Sequence, residues 1–166
     1  MEELTRGPAR VAEELVRLGV SNTVREMPES TRSAAEAAAA LGCDVAQIVK
    51  SLIFRSVASD QALLVMVSGA DRVDEARMAR VVGEDVERAS GRFVRDRTGY
   101  AIGGVPPICH TTPLLTYLDE NLLEHGVVWA AAGTPRAVFS VTPGDLVRIT
   151  SAKVVAVSAV QAPPGA

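Results

Sequence analysis

The chain has 166 residues, 48% of them apolar, and a formal charge of -3. That length and apolar content suit one globular domain with a real core, and the acidic balance excludes bulk coating of a nucleic-acid duplex, DNA included, leaving only a local basic patch able to meet one end of a polyanion. Two distant cysteines, Cys43 and Cys109, a charged opening "MEELTRGPAR" and apolar runs no longer than "ALLVMVSGA" point to a reduced, cytoplasmic protein without a membrane span, which would need roughly 20 apolar residues.

In chain order, "GPARVAEELVRLG" puts Val11, Leu15 and Leu18 on one helical face and ends at Gly19. A short β-like piece, "NTVREM", leads through Pro28 into "SAAEAAAALG", where Ser33 with Glu36 predicts a capping box and Gly42 a left-handed stop. Asp44 with Gln47 caps a short turn through "DVAQIV". The alternation in "KSLIFRSV", a turn at Ser59 and Asp60, and the buried-looking "ALLVMVSG" predict a hairpin. "DEARMARVVG" and "GRFVRDRTG" read as helices capped by Asp74 and Ser90.

Beyond the corner "GGVPP", the runs "PLLTYLD" and "VVWAAAG" read as strands around a small helix at "ENLLEHG", and "AVFSV" and "VVAVSAV" add strands around "PGDLVRIT". Strands outnumber helices and alternate with them irregularly. The expected fold is therefore mixed α/β, a compact single domain over residues 1–160 whose central mixed, partly closed barrel-like sheet is surrounded by short helices, followed by a flexible tail at 161–166.

No P-loop, nucleophile elbow or zinc-type spacing is present, so metal and serine-triad chemistry are not expected. Lys50 follows the apolar "QIV" and precedes "SLIF", a context that either lays its stem along apolar surface with the head in water or presents a point charge to a phosphate or polar group. In Gly103 to Pro107, glycines leave main-chain groups open to close approach and prolines preset φ, which serves a ligand cradle or simply a rigid turn. His110, next to Cys109, is a candidate base or hydrogen-bond partner, or a structural side chain. His125 reads as a helix C-terminal residue. Arg88, Arg92 and Arg95 are spaced to share one helical face near Arg97, either as a solvated face or as a phosphate contact.

The ordered set "SAAEAAAALG", "IVKSLIF", "LLVMVSGADRVD", "TGYAIGGVPP" and "GDLVRIT" resembles the YbaK/EbsC family, also called the prolyl-tRNA synthetase-associated editing domain family, over about residues 8–157. The resemblance implies an aminoacyl-tRNA deacylase that acts in trans, without cofactor, on mischarged tRNA, with the acceptor end as ligand and prolyl-tRNA synthetase as an expected partner. It matches the family's essential lysine to Lys50 and its G-x-x-x-P loop to Gly103, Gly104, Val105, Pro106 and Pro107. Lys50 and Gly103 are thereby assigned to catalysis, and Gly104, Val105, Pro106, Pro107, His110 and Ser33 to substrate binding, although a helix cap already accounts for Ser33.

Two departures stand out: Thr134 and Pro135 replace a Lys-Arg pair found in one branch, leaving Arg136 as the basic residue there, and Cys109-His110 replaces the glycine-led continuation after the loop. Two other classes remain open, a non-catalytic module holding a tRNA end, nucleotide or protein in the same groove, and a hydrolase of a different small activated ester or amide with His110 as base.

Overall fold

A computed structural model describes residues 6–21 and 23–160; the tail expected over 161–166 lies outside the described residues. Local signals set the helices. In α1 (Arg6–Arg17), Val11 and Leu15 are fully buried. The next helix, α2 (Ala34–Leu41), begins at Ser33, whose Oγ accepts the Glu36 N–H at 3.1 Å, and stops at Gly42 with φ +67°. The same device, a side-chain oxygen accepting an N–H three residues on, opens α3 (Glu75–Val82) at Asp74, α4 (Gly91–Thr98) at Ser90 and α5 (Pro143–Thr150) at Thr142. Each such cap contributes about 1 kcal/mol.

Strands β2 (Val49–Ser56) and β3 (Ala62–Ser68) form the expected antiparallel hairpin, with Lys50 opposite Val67. Around it stand β5 (Val86–Arg88), β6 (Leu115–Asp119) and β9 (Lys153–Val155) in the order β5-β2-β3-β6-β9, antiparallel on the β5 side and parallel on the β6 and β9 side. A second sheet, β1-β8-β7, joins β1 (Arg25–Glu26), β8 (Ala137–Val141) and β7 (Val128–Ala131), and β4 (Asp71–Val73) pairs with β10 (Ser158–Val160). Every residue of β3 is buried, so its period of two feeds two cores. Leu64 and Met66 join the larger one with Leu15, Leu118 and Phe139, while Leu63, Val65 and Val67 join a smaller one with Phe54 and Met78.

The sheet is mixed, as expected, but it closes no barrel. Among the described residues the strands fall into three separate sheets, and a single bridge, Ile48 to Trp129, ties the β2 side to the second one. The edge strands β5 and β9 are three residues long, too short to carry a continuous ladder round to a further strand. Three local expectations also change. The run "VVAVSAV" is broken into β9 and β10 because the buried Asp119 carboxylate accepts the Val157 and Ser158 N–H groups at 2.9 and 3.0 Å, turning the backbone out of the first ladder. The segment at "ENLLEHG" is a 3-10 turn, Glu120–Glu124. Arg88 does not share a helical face with Arg92 and Arg95, since it lies in β5 paired with Phe54 while they lie in α4.

Among the described residues no helix is long and apolar enough to cross a membrane, and no group of three or more His, Cys, Asp or Glu is placed to hold a metal ion.

Candidate functional site

A cavity of about 340 Å³ lies between β2, the start of α2 and β7, and the loop after α4 supplies another part of its wall through Ile102, Gly103 and Val105. Lys50 reaches it from the second position of β2. The side chain is half-buried, and its ammonium donates to the main-chain oxygen of Asp71 at the start of β4. Burial pushes the amine's pKa down, the Asp71 carboxylate works against that, and Arg88 adds to it. The ionisable side chains in the lining are Arg32, Lys50 and Arg88, all of them cations. An anionic group entering this space meets positive charge in a half-buried setting, where attraction is screened less than at an open surface.

The loop owes its shape to contacts distant in sequence. At Gly103 φ is +91°, a left-handed conformation that a side chain strains, and an added Cβ would sit 2.6 Å from Cγ of Arg32. At Gly104 the obstruction is main chain: a Cβ would lie 2.9 Å from Cα and C of Thr134. The Gly104 N–H donates to Ala101 O at 3.0 Å, whereas the N–H groups of Gly103 and Val105 make no hydrogen bond with the described residues. Pro106 and Pro107 are buried behind this wall.

His110 Nε2 lies 2.7 Å from Pro106 O; a carbonyl only accepts, so Nε2 carries the proton and donates. Burial pushes the imidazole pKa down, and the bond to Pro106 offsets part of that. Tyr100 Oη donates to Cys109 O at 3.1 Å and closes the loop's far end.

The fold thus brings Lys50, Gly103, Val105 and Ser33 to one cavity, with Ser33 also serving as the α2 cap. Gly104, Pro106, Pro107 and His110 are absent from the lining and form the support behind it. The departing segment Thr134-Pro135-Arg136 has a structural place. Its Pro135 O accepts from the Thr31 N–H and hydroxyl, and the Arg136 guanidinium donates to the carbonyls of Met27 and Pro28 at 3.0 and 2.8 Å. This one turn therefore holds both the segment that carries Arg32 and Ser33 and the back of Gly104. Arg136 is committed there through Nε and Nη2 and does not line the cavity.

Arg32 and Trp129 line the cavity although nothing in the sequence marks them, and Arg88, legible only as part of a basic run, joins them. Arg88 is placed by β5 pairing, with its guanidinium 5.6 Å above the Phe54 ring, and Trp129 carries Arg25 at 4.8 Å over its ring. The local signal for Arg88 was the basic run, and a three-residue strand inside it has too few alternations to announce itself.

Residues 28–149 match the family described as aminoacyl-tRNA editing domain, a span that contains the whole lining of the cavity. The chain belongs to that family. The editing domain is also similar to the uncharacterised protein YwhH of Bacillus subtilis (strain 168), with 30% identity over 133 residues, 80% of this chain and 84% of YwhH. Among solved structures, one of a candidate trans-editing enzyme for prolyl-tRNA synthetase shares 46% identity at a TM-score of 0.88, covering 95% of this chain and 99% of that one. The hypothetical protein APE2540 shares 33% identity at a TM-score of 0.85, covering 90% and 99%.

Proposed function

We propose that this editing domain is a deacylase that acts in trans on mischarged tRNA, hydrolysing the ester of a small non-cognate amino acid, with tRNA(Pro)-type acceptor ends as substrate and prolyl-tRNA synthetase as partner. The observation that carries the proposal is that Lys50 and the Gly103 loop, 53 positions apart by numbering, line one small cavity together. At about 340 Å³ its volume is near the low end of ligand pockets, roughly 300–1,000 Å³, and it favours a small acyl group by exclusion. Exclusion matters because one methylene discriminates by only about 1–3 kcal/mol.

An aminoacyl ester is already activated, so positioning and charge stabilisation suffice without a strong nucleophile. Water oxygen bonds to the ester carbon, and the developing oxyanion accepts from the N–H groups of Gly103 and Val105, which have no partner among the described residues. The bond from that carbon to the ribose oxygen then breaks. The water's proton passes to the leaving ribose oxygen through the neighbouring ribose hydroxyl, giving free amino acid and uncharged tRNA. Lys50, oriented by its bond to Asp71 O, meets the phosphate or polar end of the substrate.

One observation favours the second reading, a non-catalytic holder of the tRNA end: no carboxylate, histidine or cysteine lines the cavity. Deacylation over a panel of mischarged tRNAs separates the two. Turnover by the unaltered chain, reduced on the order of a hundredfold or more in Lys50→Met with unchanged thermal unfolding, supports the deacylase. Binding of tRNA without turnover of any ester would leave the holder.

A further inference from the structure

A second cavity of about 560 Å³ adjoins the first, and Lys50, Leu52 and Arg88 line both. Its remaining wall comes from β4 and the start of α3, with Phe54 beneath and Ala159 of β10 at one side. Arg72 enters from the middle of β4, where pairing with Ala159 sets its position, and its exposed guanidinium has no ion pair or hydrogen bond among the described residues. Arg88 lies over Phe54 and has one guanidinium face covered by that ring. Carboxylates share the space. Asp74 is engaged as the α3 cap and with Arg77 at 3.7 Å, while Glu75 has no partner among the described residues.

A bare phosphate would meet Glu75 as well as the cations. A nucleotide suits the mixed wall better, because it brings a phosphodiester for Arg72 and Arg88, a flat base able to stack on a guanidinium, and exocyclic amines that a carboxylate accepts. Lys50 stands where the two chambers meet. A chain whose acyl end occupies the first therefore runs past Lys50 into the second.

We infer that the second cavity binds the nucleotide preceding the terminal adenosine of a single-stranded RNA 3′ end, with Arg72 and Arg88 holding the phosphodiester between the two. The inference rests on the proposed function for an RNA 3′ end as ligand and for its acyl end lying in the first cavity.

The test compares adenosine with the uncharged dinucleotide CpA by calorimetry on the full chain, alongside Arg72→Ala, Arg72→Lys and competition by inorganic phosphate. CpA is expected to bind about tenfold tighter than adenosine. Arg72→Ala removes most of that increment and leaves adenosine unaffected. Arg72→Lys retains part of the increment, which separates lost charge from lost fold. CpA no tighter than adenosine, equal weakening of both ligands in Arg72→Ala, or displacement of CpA by equimolar phosphate would each overturn it. Absence of deacylation by the unaltered chain, with the CpA increment intact, would remove the deacylase and leave this nucleotide site standing.

Discussion

The β2–β3 hairpin and the loop from 99 to 110 each deliver a residue to the same cavity, and they hold it by different physics. Lys50 is placed by seven cross-strand partners running from Val49 opposite Ser68 to Arg55 opposite Ala62, so its position follows from register and from the burial of β3 on both faces. Gly103 sits in a segment without a ladder, shaped by the Arg32 stem, the Thr134 backbone and the His110 to Pro106 bond. A strand residue is thus secured by many weak, redundant contacts. The loop depends on a few unique ones, and single changes there should alter chemistry more than stability.

The sharpest way to break that contrast is from the hairpin side. Leu64, fully buried in β3, truncated to alanine is expected to destabilise the fold by about 2–5 kcal/mol in denaturant titration, with turnover per folded molecule largely kept. Loss of turnover at unchanged stability would show that the hairpin holds Lys50 less redundantly than its ladder implies.

On the loop side, Gly104→Ala forces a Cβ against main chain that has no flexible end to yield. We expect about 1–3 kcal/mol of destabilisation, but a fall in turnover on the order of a hundredfold from a loop displaced by about 1 Å. Full activity in this variant would show that the wall tolerates displacement.

His110→Phe probes the same loop through pH. Burial keeps the folded imidazole's pKa below its ordinary value, so as pH falls below about 6.5 the unfolded chain binds a proton that the folded chain resists. Stability is therefore whole above that pH and declines as pH drops toward the folded value. The slope of unfolding free energy against pH in this window should flatten in His110→Phe, and an unchanged slope would assign the dependence to other groups.

The smallest effect sharpens the comparison at matched chemistry. Ser33→Ala and Ser90→Ala remove equivalent caps, on α2 beside the cavity and on α4, and each should cost about 1 kcal/mol. A KM that moves for Ser33→Ala alone would place its hydroxyl at the substrate; equal KM values would leave it a cap.

Legibility followed the range of the interaction. Ser33, Asp74 and Ser90 announce helix starts, and the alternation around Lys50 announces a strand, because caps and period-two burial are decided within a few residues. The three-residue strands β4 and β5 carried no such signal: "DRV" and "VER" become strands only because β10 and β2 lie alongside them. With them went the placement of Arg72 and Arg88, and so the second chamber. Thr134 to Arg136 stood out in the sequence as a departure from a resembling family, yet its hydrogen bonds to residues 27–31 exist only in the fold.

By itself the sequence determined α1 to α4, the caps at Ser33, Asp74 and Ser90, and the hairpin that carries Lys50, since propensity, hydrophobic period and backbone restriction act locally. The tertiary structure alone decided that the described strands fall into three sheets without closing a barrel, that the lysine and the corner meet at one cavity, and that three cations line it. Those outcomes depend on which distant strands exclude water from one another most completely, a competition that no short window of residues contains.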